Sequence, residues 1–290
     1  MSARPYRRAG EASRDCGAFY LDLVGQFGPR EVHVRWSDSR RPSNEQVDRT
    51  IEATWLEETR RAAADGRTLF NGRLCRLIQC DADERTLTLT LGEVSFREFV
   101  GTNVRHANVR YVHGSEVLAD PLGVSAAVIA GDGFLLLGRR SRTVFANTGL
   151  LHPIGGIVEP GRQTGAVPDP FRTIAGELKD ELGLPGESIS QSLCLGLVRD
   201  KRTVQPEMIF DVYVSAEVEA IRAAAAQADD AGENEQLLPV RDHPAAMVAF
   251  LEQHCGELTP VALATLLLHG QRHWGTGWFT TVRGYLRNVI

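Results

Sequence analysis

The 290-residue chain is long enough for about two domains, and its 43% hydrophobic content sits near the globular average. A formal net charge of -5 and a pI near 5.9 argue against a broad electrostatic grip on long nucleic acid, so any phosphate-bearing ligand must be met by local groups. The five cysteines, Cys16, Cys75, Cys80, Cys194 and Cys255, are odd in number and contain no C-x-x-C pair, which excludes a disulfide framework or a cysteine zinc site as the organising principle and fits a reducing, cytoplasmic setting.

In chain order, the first 20 residues are expected to be a flexible tail. Arg4, Arg7, Arg8 and Arg14 are not followed by an apolar signal core, and Glu11 and Asp15 are out of place in a transit peptide. No run reaches the apolar length of a membrane span. Residues 21–118 read as a small α+β accessory domain. Val32, Val34 and Trp36 alternate with polar residues as in a half-buried strand. Ser43-Asn44 opens a helical stretch to about Ala64, and a hairpin spans Leu74–Cys80 and Thr86–Leu91. Residues 119–290 form a second domain, with strands at Val124–Ala130, Phe134–Gly138, Leu195–Arg199, Met208–Val214 and Gln236–Arg241. A long loop (Ser141–Asp169), a helix after it and two C-terminal helices complete a mixed sheet with helices on both faces.

The helix at Asp169–Leu184 carries the chemistry. Asp169 suits the N-cap, Pro170 the first turn, and Gly183 the left-handed residue beyond the end. Phe171, Ile174, Ala175, Leu178 and Leu182 share an apolar stripe, whereas Glu177, Asp180 and Glu181 gather on another face because residues three and four apart are neighbours. Such a face is often plain solvated surface. Its like charges repel, however, and a hard divalent ion taking oxygen ligands relieves that repulsion. Magnesium, with manganese as the alternative, fits a shallow cluster completed by water and substrate oxygens.

Gly155-Gly156-Ile157-Val158-Glu159-Pro160-Gly161, followed by Gly176-Glu177-Leu178-Lys179-Asp180-Glu181-Leu182-Gly183-Leu184, resembles a divergent Nudix box. The resemblance implies an α/β/α Nudix fold with a mixed sheet. It also implies that Glu177 and Glu181 are the catalytic metal-binding acids, with Asp180 as a further ligand. The chain departs from the family pattern at Arg162, where a glutamate is expected, and at Gly176, where an arginine is expected, and its loop is about six residues longer. The runs Phe96-Arg97-Glu98-Phe99-Val100-Gly101-Thr102-Asn103, Leu118-Ala119-Asp120-Pro121-Leu122-Gly123-Val124, Arg139-Arg140-Ser141-Arg142 and Leu195-Gly196-Leu197-Val198-Arg199 are similar to the UDP-glucose pyrophosphatase branch. That branch lacks the same arginine and carries a loop insertion. It implies magnesium-dependent hydrolysis of UDP-glucose or UDP-galactose to UMP and sugar 1-phosphate. The alternatives are a hydrolase of another nucleoside diphosphate derivative and a nucleotide-binding Nudix domain without catalysis.

Among the remaining candidates, Arg139, Arg140 and Arg142 match a diphosphate through guanidinium geometry, or simply solvate a strand end. Gly155 and Gly156 allow close approach to phosphate or metal, or merely turn the chain. Asp211, in an otherwise apolar strand, reads as a base or outer-shell ligand, or as an acid satisfied by edge exposure or an ion pair. Glu159 is an accessory acid beside the helix. No histidine shows metal-ligand spacing.

Overall fold

In the computed structural model, which describes residues 14–142, 144–161 and 167–286, ordered strand begins earlier than the sequence suggests. Strands β1 (Arg14–Asp15) and β2 (Phe19–Phe27) pair with each other, and β2 continues onto a strand near residue 195. The expectation of a flexible tail to residue 20 is therefore corrected from Arg14 onward: Phe19 is fully buried, and apolar burial fixes this segment. The rest of that tail lies outside the described residues.

Next come β3 (Val32–Trp36), α1 (Glu45–Ala64), β4 (Arg73–Ala82) and β5 (Leu87–Ser95). The Asn44 side chain caps α1 by accepting from the amides of Gln46 and Val47, while Val47 and Ile51 supply its buried stripe. These strands form a three-stranded sheet in the order β3-β5-β4. A short α2 (Phe96–Phe99) carries a Ser95/Glu98 capping box and continues as a π-helical turn to Val104, after which α3 (Arg110–His113) leads to the connector.

The larger sheet is built from β1, β2, β6 (Gly123–Ile129), β7 (Phe134–Arg140), β8 (Leu151–His152), β9 (Ile154–Ile157), β10 (Ile189–Asp200), β11 (Pro206–Val214) and β12 (Asn234–Arg241). Its order is β1-β2-β10-β11-β6-β7-β12, with β9 on β6 and β8 on β7, and β6/β11 is its parallel pair. Helices α4 (Pro170–Leu182) and α5 (Val218–Ala225) cover one face, and α6 (Pro244–His254) and α7 (Pro260–Leu286) the other, giving the expected sandwich. Strand alternation divides the residues: Met208, Phe210 and Val212 point toward α4, whereas Ile209 joins Leu266 and Leu267 of α7.

The small sheet packs one end, Leu74 and Val94, against Phe99 and Ala119, and shares the rest of its core with the large sheet. Cys75, Leu77, Leu89 and Leu91 share one apolar cluster with Val124, Leu178 and Phe210. The connector is bound to it by backbone hydrogen bonds from Cys75 N to the Val158 carbonyl (2.8 Å), Leu77 N to the Asp120 carbonyl (2.9 Å) and Leu122 N to the Cys75 carbonyl (2.8 Å). Three of the segments that carry the family resemblance, 96–103, 118–124 and 195–199, meet at this seam. Asp120 accepts from Asn103 Nδ2 at 2.9 Å and from Arg199 Nη1 at 3.1 Å, while Arg199 Nε donates to Asp22 at 2.8 Å. A guanidinium only 2% exposed thus ties β2, β10 and the connector together.

Candidate active site

Helix α4 forms as its sequence dictates. The Asp169 side chain accepts from the amides of Phe171 and Arg172, Pro170 occupies the first turn, and Gly183 closes the helix at φ 67°. Ile174, Leu178 and Leu182 are buried against the sheet, each contributing roughly 1.5–3 kcal/mol, and Phe171 meets Phe210 edge-on at 5.1 Å. This anchoring directs the acidic face toward β9.

Glu181 is buried. Its Oε1 accepts from Gly155 N at 3.1 Å and its Oε2 from Asn234 Nδ2 at 2.6 Å. Glu177 lies over Gly156, where an added Cβ would stand 2.0 Å from Glu177 Oε1, so a side chain here would displace the carboxylate from its present position. Burial, then the surrounding acids Glu233, Asp180, Asp230 and Glu159, raise Glu177 to about 7. Burial raises Glu181 to about 8, against the opposing hydrogen bonds from Asn234 and Gly155. Neither carboxylate has an ion-pair partner among the described residues. Oxygen-only donors, crowded and short of positive charge, fit a hard divalent ion. Glu177 and Glu181 are best placed to hold it, with Asp180 beside them and Glu159 exposed at the rim.

A cavity of about 510 Å³, bordered by Gly155 and Gly156 but not lined by Glu177, Asp180 or Glu181, lies between the small α+β unit and the large sheet. Phe96, Phe99 and Arg105 come from the former, and Arg140, Phe145, His152, Arg202 and Glu207 from the latter. Of the three arginines expected to meet substrate, only Arg140 lines this cavity. Arg139 instead donates to the Gly149 carbonyl at 2.8 Å and to Glu257 at 2.6 Å, and Arg142 is exposed. Nothing in the local sequence around Arg105 and Arg202 marks them as cavity residues, and Phe96 is signalled only by its place in the segment 96–103 that resembles the UDP-glucose pyrophosphatase branch. His152 is held neutral, pushed down to about 3 by burial and by Arg140, and its Nδ1 lies 2.8 Å from Thr259 Oγ1.

Asp211 is brought to neither the acidic helix nor the cavity. It sits on a central strand and points to the α7 face, where it meets His269 Nδ1 at 2.9 Å, Arg272 Nη1 at 2.7 Å and His273 Nε2 at 3.3 Å. Among the described residues, Asp211, His269 and His273 are the group whose ligand atoms all lie within 4.8 Å of one another. Arg272 already supplies a cation there. Despite opposing burial, the hydrogen bonds of His269 to Asp211 and Asp242 raise it to about 9, so the histidine is itself charged. Of the two sequence alternatives for Asp211, the ion pair is the one observed, and edge exposure is ruled out by its zero exposure. The helix acids do not converge that tightly, a spacing compatible with a site completed by water and substrate oxygens. Arg162, the departure from the box at its first acidic position, lies outside the described residues.

No family model matches the chain. Nudix hydrolase 9 of Arabidopsis thaliana is 28% identical over 305 aligned positions, covering 93% of this chain and 92% of that protein. The chain is a relative of the Nudix hydrolases. Uridine diphosphate glucose pyrophosphatase NUDT22 of Mus musculus is 33% identical across 52% of this chain, and its counterpart in Homo sapiens is 35% identical across 40%. The chain spans about half the length of these two relatives, 56% and 45% respectively. Among solved structures, a MutT protein from Methanosarcina mazei aligns at 19% identity over 53% of this chain and 94% of its own, with a TM-score of 0.35. The Nudix domain of Shewanella oneidensis NrtR, complexed with ADP ribose, aligns at 16% identity over 53% and 89%, with a TM-score of 0.36. The similarity to the Nudix hydrolases lies in the sequence. Among the described residues no helix is long and apolar enough to cross a membrane.

Proposed function

We propose that the protein is a divalent-metal-dependent pyrophosphohydrolase that cleaves a UDP-sugar, UDP-glucose or UDP-galactose, to UMP and sugar 1-phosphate. The observation that carries this reading is the placement of Glu177 and Glu181, two desolvated carboxylates without cationic partners, against the glycine pair that borders a two-unit cavity. The similarity to the UDP-glucose pyrophosphatases supports the choice of substrate class.

Glu177 and Glu181, supported by Asp180, would hold magnesium or manganese. When bound, such an ion offsets charge on the diphosphate and makes water a better nucleophile. The remaining work falls to the chain itself. Gly155 and Gly156 let the diphosphate approach the backbone without steric opposition. Arg140, with no ion-pair partner among the described residues, is the guanidinium best placed to orient the phosphates, while Arg105 and Arg202 line the same cavity paired with Glu58 and Asp200. Phe96 and Phe145, in edge contact at 5.4 Å, provide an apolar wall for a base. Water adds to one phosphorus and the bond from that phosphorus to the bridging oxygen breaks, leaving a phosphate on each product.

Incubation with a panel of UDP-sugars, other nucleotide sugars, ADP-ribose and dinucleotides, with magnesium and with chelator, tests the assignment. Metal-dependent release of UMP and sugar 1-phosphate is the expected result. Turnover confined to another nucleotide would discard the UDP-sugar assignment, and binding without any product would discard catalysis.

A further inference from the structure

The cavity holds a buried acid that the carboxylate helix does not use. Glu207, near the start of β11, is only 7% exposed and lines the cavity wall. Strand alternation turns it away from α4, since its neighbour Met208 faces the α4 side. Its Oε1 accepts a 2.6 Å hydrogen bond from the Ser125 hydroxyl. The chain makes room for it: a Cβ at Gly123 would lie 2.0 Å from Glu207 Oε2. Burial raises its pKa to about 7, and Arg140 acts on it only at a distance, without an ion pair among the described residues.

The strand register connects this acid to the proposed reaction site. Ser125 of β6 stands opposite Gly155 of β9, and Gly155 N is the donor to Glu181. Glu207 itself stands opposite Gly123, and the Ser125 hydroxyl reaches it diagonally, so a side-chain hydrogen bond and the Ser125/Gly155 pairing link Glu207 across three neighbouring strands to the amide that meets Glu181. We propose that Glu207 and Ser125 form a sugar-reading floor, accepting hydrogen bonds from hydroxyls of the hexose beside the diphosphate; this rests on the UDP-sugar reading above.

The chemistry of the pair selects the ligand. Ser125 commits its one proton to Glu207, so what the pair offers the cavity is lone pairs. A hexose supplies a donor from each hydroxyl. A phosphate is repelled by the same acid and is drawn instead to Arg105, Arg140 and Arg202. Uracil has a single ring N–H flanked by two carbonyls, which would confront an acceptor surface. A buried carboxylate left unpaired is costly, so a ligand without the hydroxyls is penalised rather than merely unrewarded. Glu207 is thus a specificity-determining residue.

The test compares the affinity of the full-length protein for UDP-glucose and for the methyl ester of UDP, which keeps the charge and lacks the sugar. Titration calorimetry is run on the wild type, Glu207→Gln and Ser125→Ala, with product formation followed in parallel. The wild type should favour UDP-glucose, and that preference should fall roughly tenfold or more in Glu207→Gln, with a smaller fall in Ser125→Ala. If Glu207→Gln does not fold, the Ser125→Ala ratio decides. A wild type without preference, a ratio unchanged in the folded variants, or an equal loss on both ligands overturns the proposal. Preference without hydrolysis would reject the pyrophosphohydrolase reading while leaving the sugar floor standing.

Discussion

Two groups of buried acids lie on opposite faces of the same sheet, and they resolve their charge in opposite ways. On the α7 face, Asp211 is held well below the usual carboxylate range because His269, His273 and Arg272 outweigh its burial. On the α4 face, Glu177 and Glu181 are driven up to about 7 and about 8, since burial is reinforced by neighbouring acids. The first group contains its own counter-ions and locks a helix to the sheet. The second has no ion-pair partner among the described residues, and under the proposed function its positive charge comes from a bound divalent ion. Burial of a carboxylate therefore does not by itself mark a functional site; the sign of the charges around it separates a self-neutralised group from one open to a cation, as the proposed function requires of Glu177 and Glu181.

The comparison is sharpened most by Glu181→Gln. This change should lower turnover by about a thousandfold while the folded structure and its melting transition persist, because the amide removes a charged oxygen but retains the shape. Steady-state kinetics with a thermal melt checks it, and near-wild-type turnover would remove Glu181 from the reaction.

The opposite face should behave in the opposite manner. Arg272→Met deprives Asp211 of a cation and is expected to cost about 3 kcal/mol of stability, the magnitude of breaking a buried ion pair, with activity per folded molecule retained. Urea unfolding together with activity measured well below the midpoint separates the two effects.

A smaller effect distinguishes the faces by pH. With chelator present, the folded protein holds protons on Glu177 and Glu181 that the unfolded chain releases near 4.5, so the acids of α4 should lower stability as pH rises from about 4.5 to about 8. Saturating magnesium should flatten that slope. His269 contributes with the same sign in a higher window: its stabilisation is complete below 6.5 and fades as pH approaches about 9, and it does not respond to magnesium. Melts across this range in Glu181→Gln should lose the metal-sensitive component and retain the histidine component; a metal-sensitive slope unchanged by Glu181→Gln would break the comparison.

The sequence alone determined what depends on neighbours a few residues apart. Asp169, Pro170 and Gly183 delimit α4 through local capping, and helical periodicity puts Glu177, Asp180 and Glu181 on one face. Asn44 likewise starts α1 where the sequence suggests. Tertiary structure decided what depends on distant partners. Gly155 and Glu181 are 26 residues apart, Glu181 and Asn234 are 53 apart, and Asp211 meets His269 across 58 residues. Arg139 and Arg140 are adjacent and chemically identical, yet strand alternation and the position of Glu257 send only Arg140 to the cavity. The same reason explains β2: its pairing with β10 depends on a strand more than 150 residues away, so its own residues could not announce that it would join the larger sheet. Local periodicity sets which side chains share a face, and packing across the chain sets what that face meets.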